Sequence, residues 1–184
     1  MVLAGEGGQG VQTVGEVLAE AAYNAGLEAM YLPNFGVEQR GGVSLAYVQV
    51  GEEPITAPKF RFADVVVALS HRSVARSARY VNDHTTLVYD SSGEEIDGGA
   101  VGQARRILGL PAVQVAREEL SPRVFNMVIL GAVWALAPAM PLQEVKRAVE
   151  SHLGYKFAVQ PELRELNFRA ITRGRELVAA RFGG

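Results

Sequence analysis

The chain opens on an apolar run, Met1 to Ala4, followed at once by Gly5-Glu6-Gly7-Gly8-Gln9-Gly10 and then by a stretch of helical periodicity. Few arrangements narrow the fold so much. Four glycines within these six residues let the backbone turn sharply through positive φ. They also leave the following helix N-terminus uncovered, with free N–H groups and a partial positive charge suited to an anion. From Val11 the apolar positions Val14, Leu18, Ala21 and Ala25 recur at three- and four-residue spacing, and Gly26 is a natural C-terminal stop. Leu27 to Leu32 reads as a second strand. Residues 1–32 therefore predict a strand, glycine loop, helix and strand in succession, the opening unit of an α/β fold.

The rest of the chain extends this pattern. Pro33-Asn34-Phe35-Gly36 breaks into a loop ending Glu38-Gln39-Arg40-Gly41-Gly42, after which Val43 to Val50 alternate as a strand. Val65 to Leu69 is a continuous apolar run, as expected of a strand buried on both faces. A polar, Arg-rich helix is predicted over His71 to Val81, a strand over Thr85 to Tyr89, a helix over Val101 to Leu108 and a short last strand over Ala112 to Val115. Ser121-Pro122 starts a helix, with the Ser as cap and the Pro at the first helical position. That helix, running to about Ala137, is almost wholly apolar and should be buried nearly all round. Further helices are expected over Pro141 to Leu153 and Pro161 to Arg181. The sequence thus predicts a three-layer α/β/α fold with a mostly parallel or mixed central sheet, extra C-terminal helices, and a single domain over 1–184.

Composition excludes several function classes. The net charge of −2 gives no general attraction for nucleic acid or an anionic membrane. No apolar run approaches the roughly 20 residues needed to span a bilayer. The first residues lack a basic flank followed by an apolar stretch, so no secretory signal is expected and the default is a cytoplasmic protein. With no cysteine, the chain offers neither disulfides, thiolate catalysis nor iron–sulfur ligation.

The glycine loop shares part of its spacing with known phosphate motifs. Gly5, Gly7 and Gly10 satisfy G-x-G-x-x-G, but the second strand ends Leu32-Pro33-Asn34, without the acidic residue that binds a ribose; Glu28 lies at its wrong end. Gly5 and Gly10 also have P-loop spacing, yet Val11-Gln12 stands where Lys-Ser/Thr belongs. Glu6 would place a carboxylate near any phosphate. A tight turn serving only packing is the plain alternative. Arg40, on a loop flexed by Gly41 and Gly42, is a second candidate, because an arginine can hold phosphate or carboxylate in a bidentate manner. Loops after the first two strands of a parallel sheet emerge at the same edge, so the glycine loop and Arg40 would face one crevice. Gly42-Val43-Ser44-Leu45-Ala46 lies within a strand rather than before a helix, unlike a nucleophile elbow. His71, His84 and His152 lack metal-ligand spacing, and no thiamine-type Gly-Asp-Gly segment is present. The Arg72, Arg76 and Arg79 stripe reads as a solvated helix face or a contact for an acidic partner. No catalytic constellation and no metal site are predicted.

Taken together, Gly5-x-Gly7-Gly8-Gln9-Gly10, Leu18-Ala19-x-Ala21-Ala22 and Gly26 resemble the opening of the gamma subunit of 2-oxoacid:ferredoxin or flavodoxin oxidoreductases, the pyruvate, 2-oxoglutarate and 2-oxoisovalerate enzymes. Phe35-Gly36-Val37-Glu38-Gln39-Arg40-Gly41-Gly42 resembles that family's Tyr-Gly-Pro-Glu-x-Arg-Gly-Gly segment, departing from it at Phe35 and Val37. Pro54-Ile55 through Ala63-Asp64 resembles the next block. Arg123-x-x-Asn126-Met127 with Leu130-Gly131, and Asn167-x-x-Ala170 with Gly174, resemble its C-terminal helices. The resemblance implies a non-catalytic subunit of an enzyme that oxidatively decarboxylates a 2-oxoacid to an acyl-CoA. Coenzyme A would be a shared ligand, contacted through Gly5, Gly7, Gly8, Gln9, Gly10, Arg40 and Gly41. Thiamine diphosphate and the iron–sulfur clusters would sit on partner alpha, beta or delta subunits, with ferredoxin or flavodoxin as acceptor. The isolated chain would be inactive, and monomer and homodimer both stay open. A purely structural assembly module and a free-standing nucleotide-binding protein are the rival readings.

Overall fold

A computed structural model describes residues 1–35, 42–93, 96 and 101–182. Arg40 and Gly41, together with the rest of 36–41, lie outside the described residues.

The first strand, β1 (Val2–Glu6), is buried on both faces from Val2 to Gly5. It leads through the glycine loop into α1 (Val11–Asn24), whose buried positions Val11, Val14, Val17, Leu18, Ala21 and Ala22 are those of the periodic stripe. Gly26, at φ 83°, closes the helix. The Gly26 and Leu27 N–H groups return to the Tyr23 and Ala22 carbonyls, each at 3.0 Å, which satisfies two otherwise orphaned acceptors. Strand β2 (Glu28–Asn34) follows. It lies at the sheet edge, which is why Pro33, with no N–H to donate, is tolerated in it.

Strand β3 (Val43–Gly51) runs antiparallel between β2 and β1. Beyond β1, the strands β4 (Val65–Ala68), β5 (Thr86–Asp90) and β6 (Arg106–Leu110) add in parallel, giving the order β2-β3-β1-β4-β5-β6. Because β3 opposes both β1 and β2, those two strands share a direction. The sheet is therefore mixed, and among the described residues β3 is its one reversed strand. The ends of β1, β2, β4, β5 and β6 all emerge at one edge, where β3 begins.

One face of the sheet is covered by a thick helical layer. Leu3, Val65, Val67 and Val88 pack there with α1, α3 (Ala112–Glu119) and α4 (Phe125–Leu136). Behind these, α5 (Leu142–Val159) lies against α1 and α6 (Glu162–Phe182) against α4. The opposite face is thinner. Val2, Ala4, Val66, Ala68 and Leu87 are covered by Val74 of α2 (His71–Ser77), by Val81 and by Ala63 and Val101. The helix expected over His71 to Val81 is α2 continued by a 3₁₀ turn at Ala78–Tyr80.

The apolar helix α4 is buried from Met127 to Val133. It crosses α6 with backbones in contact. A Cβ on Gly131 would collide with the Ile171 carbonyl, and one on Gly174 with the Val128 carbonyl. The glycines quoted from both C-terminal helices are thus two halves of one helix crossing.

Two sequence expectations are corrected. The helix predicted over Val101 to Leu108 is instead a turn leading into β6, and the strand predicted over Ala112 to Val115 is the start of α3. Residues 106–110 are drawn into the sheet by the open hydrogen-bonding edge of β5, a partner that local propensity does not reveal. In α3, Ala112, Val115 and Ala116 are buried at helical spacing. Its N-terminus is capped from a distance: Asp90 Oδ1 accepts the Val113 N–H at 3.1 Å, and Ser92 Oγ accepts the Gln114 N–H at 2.9 Å. Pro111, at the cap position, supplies no side-chain bond.

Candidate functional site

The glycine loop sits at the sheet edge where the parallel strands end. Gly8 and Gly10 adopt positive φ, 91° and 72°, and Gly10 caps α1 in the left-handed region without a side-chain hydrogen bond. No acidic residue occupies the first turn of α1. The N-terminal N–H groups of the helix and its partial positive charge are therefore not neutralised from within the helix.

Each glycine has a different reason to be glycine. At Gly5 a Cβ would lie 2.7 Å from Val11 Cγ1 and 2.9 Å from Gln9 Oε1, so the turn closes too tightly for a side chain. At Gly10 it would lie 2.9 Å from both Cβ and Nδ2 of Asn126, at the start of α4. At Gly7 and Gly8 it would meet nothing within 4 Å, and both residues are exposed. Gly8 still needs its left-handed φ, whereas Gly7 lies outside the positive-φ region. Packing does not require a glycine at position 7.

Gln9 is a strut. Its Oε1 accepts the Glu6 N–H at 2.6 Å, and its Nε2 donates to the Leu69 carbonyl at 3.0 Å. It closes the loop on itself and ties it to Leu69, just past the end of β4, whose N–H also reaches the Ala4 carbonyl at 3.0 Å. Gln12, in the first turn of α1, is held similarly. It donates to the Leu45 carbonyl at 3.1 Å and accepts from the Tyr31 hydroxyl at 2.7 Å. The loop is thus anchored to β2, β3 and β4.

The register of the sheet brings the second loop's anchor points alongside. Ser44 pairs with Gly5, Val43 with Glu6, and Asn34 with Leu45. The segment carrying Arg40 leaves and re-enters the sheet at the edge holding the glycine loop. Gly5, Gly7, Gly8, Gln9 and Gly10 lie together in one turn, while Arg40 and Gly41 fall outside the described residues.

Asn126 escaped the reading of the sequence as a site residue. Its spacing from Arg123 was visible, but the contact with Gly10 depends on how α4 packs against α1. Among the described residues no group of three or more His, Asp or Glu side chains could hold a metal ion, and no helix is long and apolar enough to cross a membrane.

Residues 1–177 match the family described as pyruvate ferredoxin/flavodoxin oxidoreductase. The chain belongs to this family. It is 34% identical over 175 residues to the ketoisovalerate oxidoreductase subunit VorA of Methanothermobacter thermautotrophicus, covering 95% of this chain and 35% of VorA. Its fold superimposes with a TM-score of 0.85 and 28% identity on 2-oxoglutarate:ferredoxin oxidoreductase from Magnetococcus marinus, solved with 2-oxoglutarate, coenzyme A and succinyl-CoA bound. That match covers 97% of this chain and 30% of the Magnetococcus chain. The gamma subunit of the keto/oxoacid ferredoxin oxidoreductase from Geobacter sulfurreducens aligns at TM-score 0.75 and 25% identity over 97% of both chains. The chain therefore spans about a third of the length of VorA and of the Magnetococcus chain, and nearly all of the Geobacter gamma subunit.

Proposed function

We propose that this chain is the gamma-type subunit of a 2-oxoacid:ferredoxin oxidoreductase, with residues 1–184 forming one unit, and that its glycine loop contributes to binding coenzyme A. Thiamine diphosphate and the iron–sulfur clusters would be carried by partner subunits, with ferredoxin or flavodoxin taking the electrons. This division of labour accords with a chain that has no cysteine. Such an assembly would work in the cytoplasm.

The observation that carries the reading is the open face of the loop. Gly7 and Gly8 leave room for a ligand to approach the backbone, and the N-terminus of α1, with no side-chain cap bond, follows them in the chain. A phosphate there would accept N–H hydrogen bonds and be stabilised by the helix dipole. Gly5 and Gln9 hold the turn in shape. Arg40, on the loop anchored alongside, would add a bidentate contact, and Gly41 would let it approach. The relative from Magnetococcus, solved with coenzyme A, supports the choice of ligand.

The test is a coenzyme A titration of the assembled complex carrying Arg40→Ala or Gly7→Val. Arg40→Ala, by losing a charge-assisted contact, and Gly7→Val, by blocking the backbone, should each weaken the dependence on coenzyme A by about tenfold or more. Unchanged dependence in both would remove the binding role.

A further inference from the structure

Strands β2 and β6 form the two edges of the sheet. An edge strand offers backbone groups that a strand from another chain can take up. The β2 edge is blunted by Pro33. Strand β6 contains no proline. Its ladder to β5 fixes which backbone groups point outward. The Arg106 N–H donates to the Thr85 carbonyl at 3.3 Å, and the Leu110 carbonyl accepts the Ser91 N–H at 2.9 Å. Residues 106, 108 and 110 therefore turn their backbone groups towards β5, and Ile107 and Gly109 turn theirs away. Among the described residues, no strand pairs with this outer edge.

The side chains of β6 suit such pairing. Leu108 and Leu110 pack into the core under the helical layer, so Ile107 and Gly109 lie on the thinner face of the sheet. Ile107 is 40% exposed there. Gly109 is in register with Tyr89, and a Cβ on it would lie 2.8 Å from the Tyr89 hydroxyl oxygen. The absent side chain thus lets Tyr89 reach over the strand. Arg106, the one charged residue of β6, is drawn over the Phe182 ring of α6, 5.0 Å from its centre. Its charge is held against the chain's own helix.

We infer that β6 pairs antiparallel with β6 of a second copy of this chain, about a two-fold axis at Leu108. That register sets Ile107 opposite Gly109 of the second copy. Both turn their backbone groups outward, so the two residues exchange N–H···O=C bonds in both directions, and the axis repeats the pair. The Ile107 side chain enters the space left by Gly109 and meets the Tyr89 ring of the second copy, an aromatic and β-branched pair across strands. Arg106 falls opposite Leu110, so like charges do not face each other. An unrelated strand would find the same backbone groups but would not match Ile107 to the Gly109 gap twice over. This self-complementarity selects a second copy as the occupant, and it is independent of the ligand at the glycine loop.

The test uses the full chain, by itself and in the assembled complex. Sedimentation of the wild type should give twice the monomer mass, and Ile107→Pro should return it to monomer. The proline removes only an outward N–H, so the ladder to β5 and the melting transition should survive. A second variant decides the matter even if that one unfolds. The chain has no cysteine, and Leu108→Cys places one thiol on the axis. A non-hydrogen-bonded antiparallel pair brings the two Cα atoms to about 4.5 Å, within disulfide reach. In air, Leu108→Cys should form a disulfide-linked dimer about tenfold or more faster than Tyr23→Cys, an exposed position that reports chance collision. A monomeric wild type, or equal crosslinking of the two cysteine variants, overturns the inference. So does a monomeric wild type whose Ile107→Pro variant no longer enters the complex, because a partner subunit's strand would then occupy this edge.

Discussion

Two pairs of glycines divide the molecule by purpose. Where α4 crosses α6, Gly131 and Gly174 have no room at all, because a methyl group on either would enter a backbone carbonyl of the other helix. In the loop after β1, Gly7 and Gly8 have nothing within 4 Å of where a Cβ would stand. The first pair serves close packing of two helices that both help bury the sheet. The second leaves a face of backbone open at the edge where the strands end. Glycine content alone does not separate these roles; the space around each residue does.

The largest effect is expected where α4 crosses α6. Gly174→Ala should destabilise the chain by about 4 kcal/mol or more, the range reached when a substitution has nowhere to relax. Denaturant unfolding measures it, and a loss below about 1 kcal/mol would mean the helices separate easily. Within the loop, Gly10→Ala should cost about 2 kcal/mol, since it combines a left-handed φ with a collision against Asn126. Gln9→Ala should cost about 1 to 2 kcal/mol by leaving the Glu6 N–H and Leu69 carbonyl to find other partners. Thermal unfolding of the two variants side by side shows whether the turn is rigid by itself or through that strut.

The smallest effect concerns the surface between α3 and α6. Arg173 Nε and Nη2 donate to Glu119 at 2.7 and 3.0 Å, and these bonds hold the Glu119 carboxyl below its ordinary pKa. A carboxylate with a depressed folded-state pKa stabilises the fold above the unfolded value, and that contribution is lost as pH falls through the folded value. Both side chains are partly exposed, so solvent screening limits the effect to under about 1 kcal/mol. Glu119→Gln should therefore narrow the stability difference between neutral and acid pH only slightly, as pH-dependent melting would report.

The opening unit was legible because its signals are local. Glycines mark the turn, a stripe marks α1, and Gly26 marks its end. The loop's position at the sheet edge followed from the topology of any such unit, and the register of Ser44 with Gly5 agrees with it. The helix expected over Val101 to Leu108 and the strand expected over Ala112 to Val115 fail because β6 and α3 are decided from outside themselves. One is recruited by the edge of β5, and the other is capped by Asp90 and Ser92 some twenty residues earlier. The same limit hid Asn126, since only packing brings α4 against Gly10. Gln9 was visible as a loop residue, but its role as a strut appears only once Leu69 is beside it.

The most direct test of the contrast is Gly7→Val, a change with open space and no left-handed φ to violate. Its unfolding free energy should stay within about 0.5 kcal/mol of wild type, as for an unconstrained surface site. In the assembled complex its Kd for coenzyme A should rise by about tenfold or more, as the added side chain blocks the backbone. Wild-type stability together with wild-type affinity would contradict the account, because the open glycines would then serve neither packing nor a ligand.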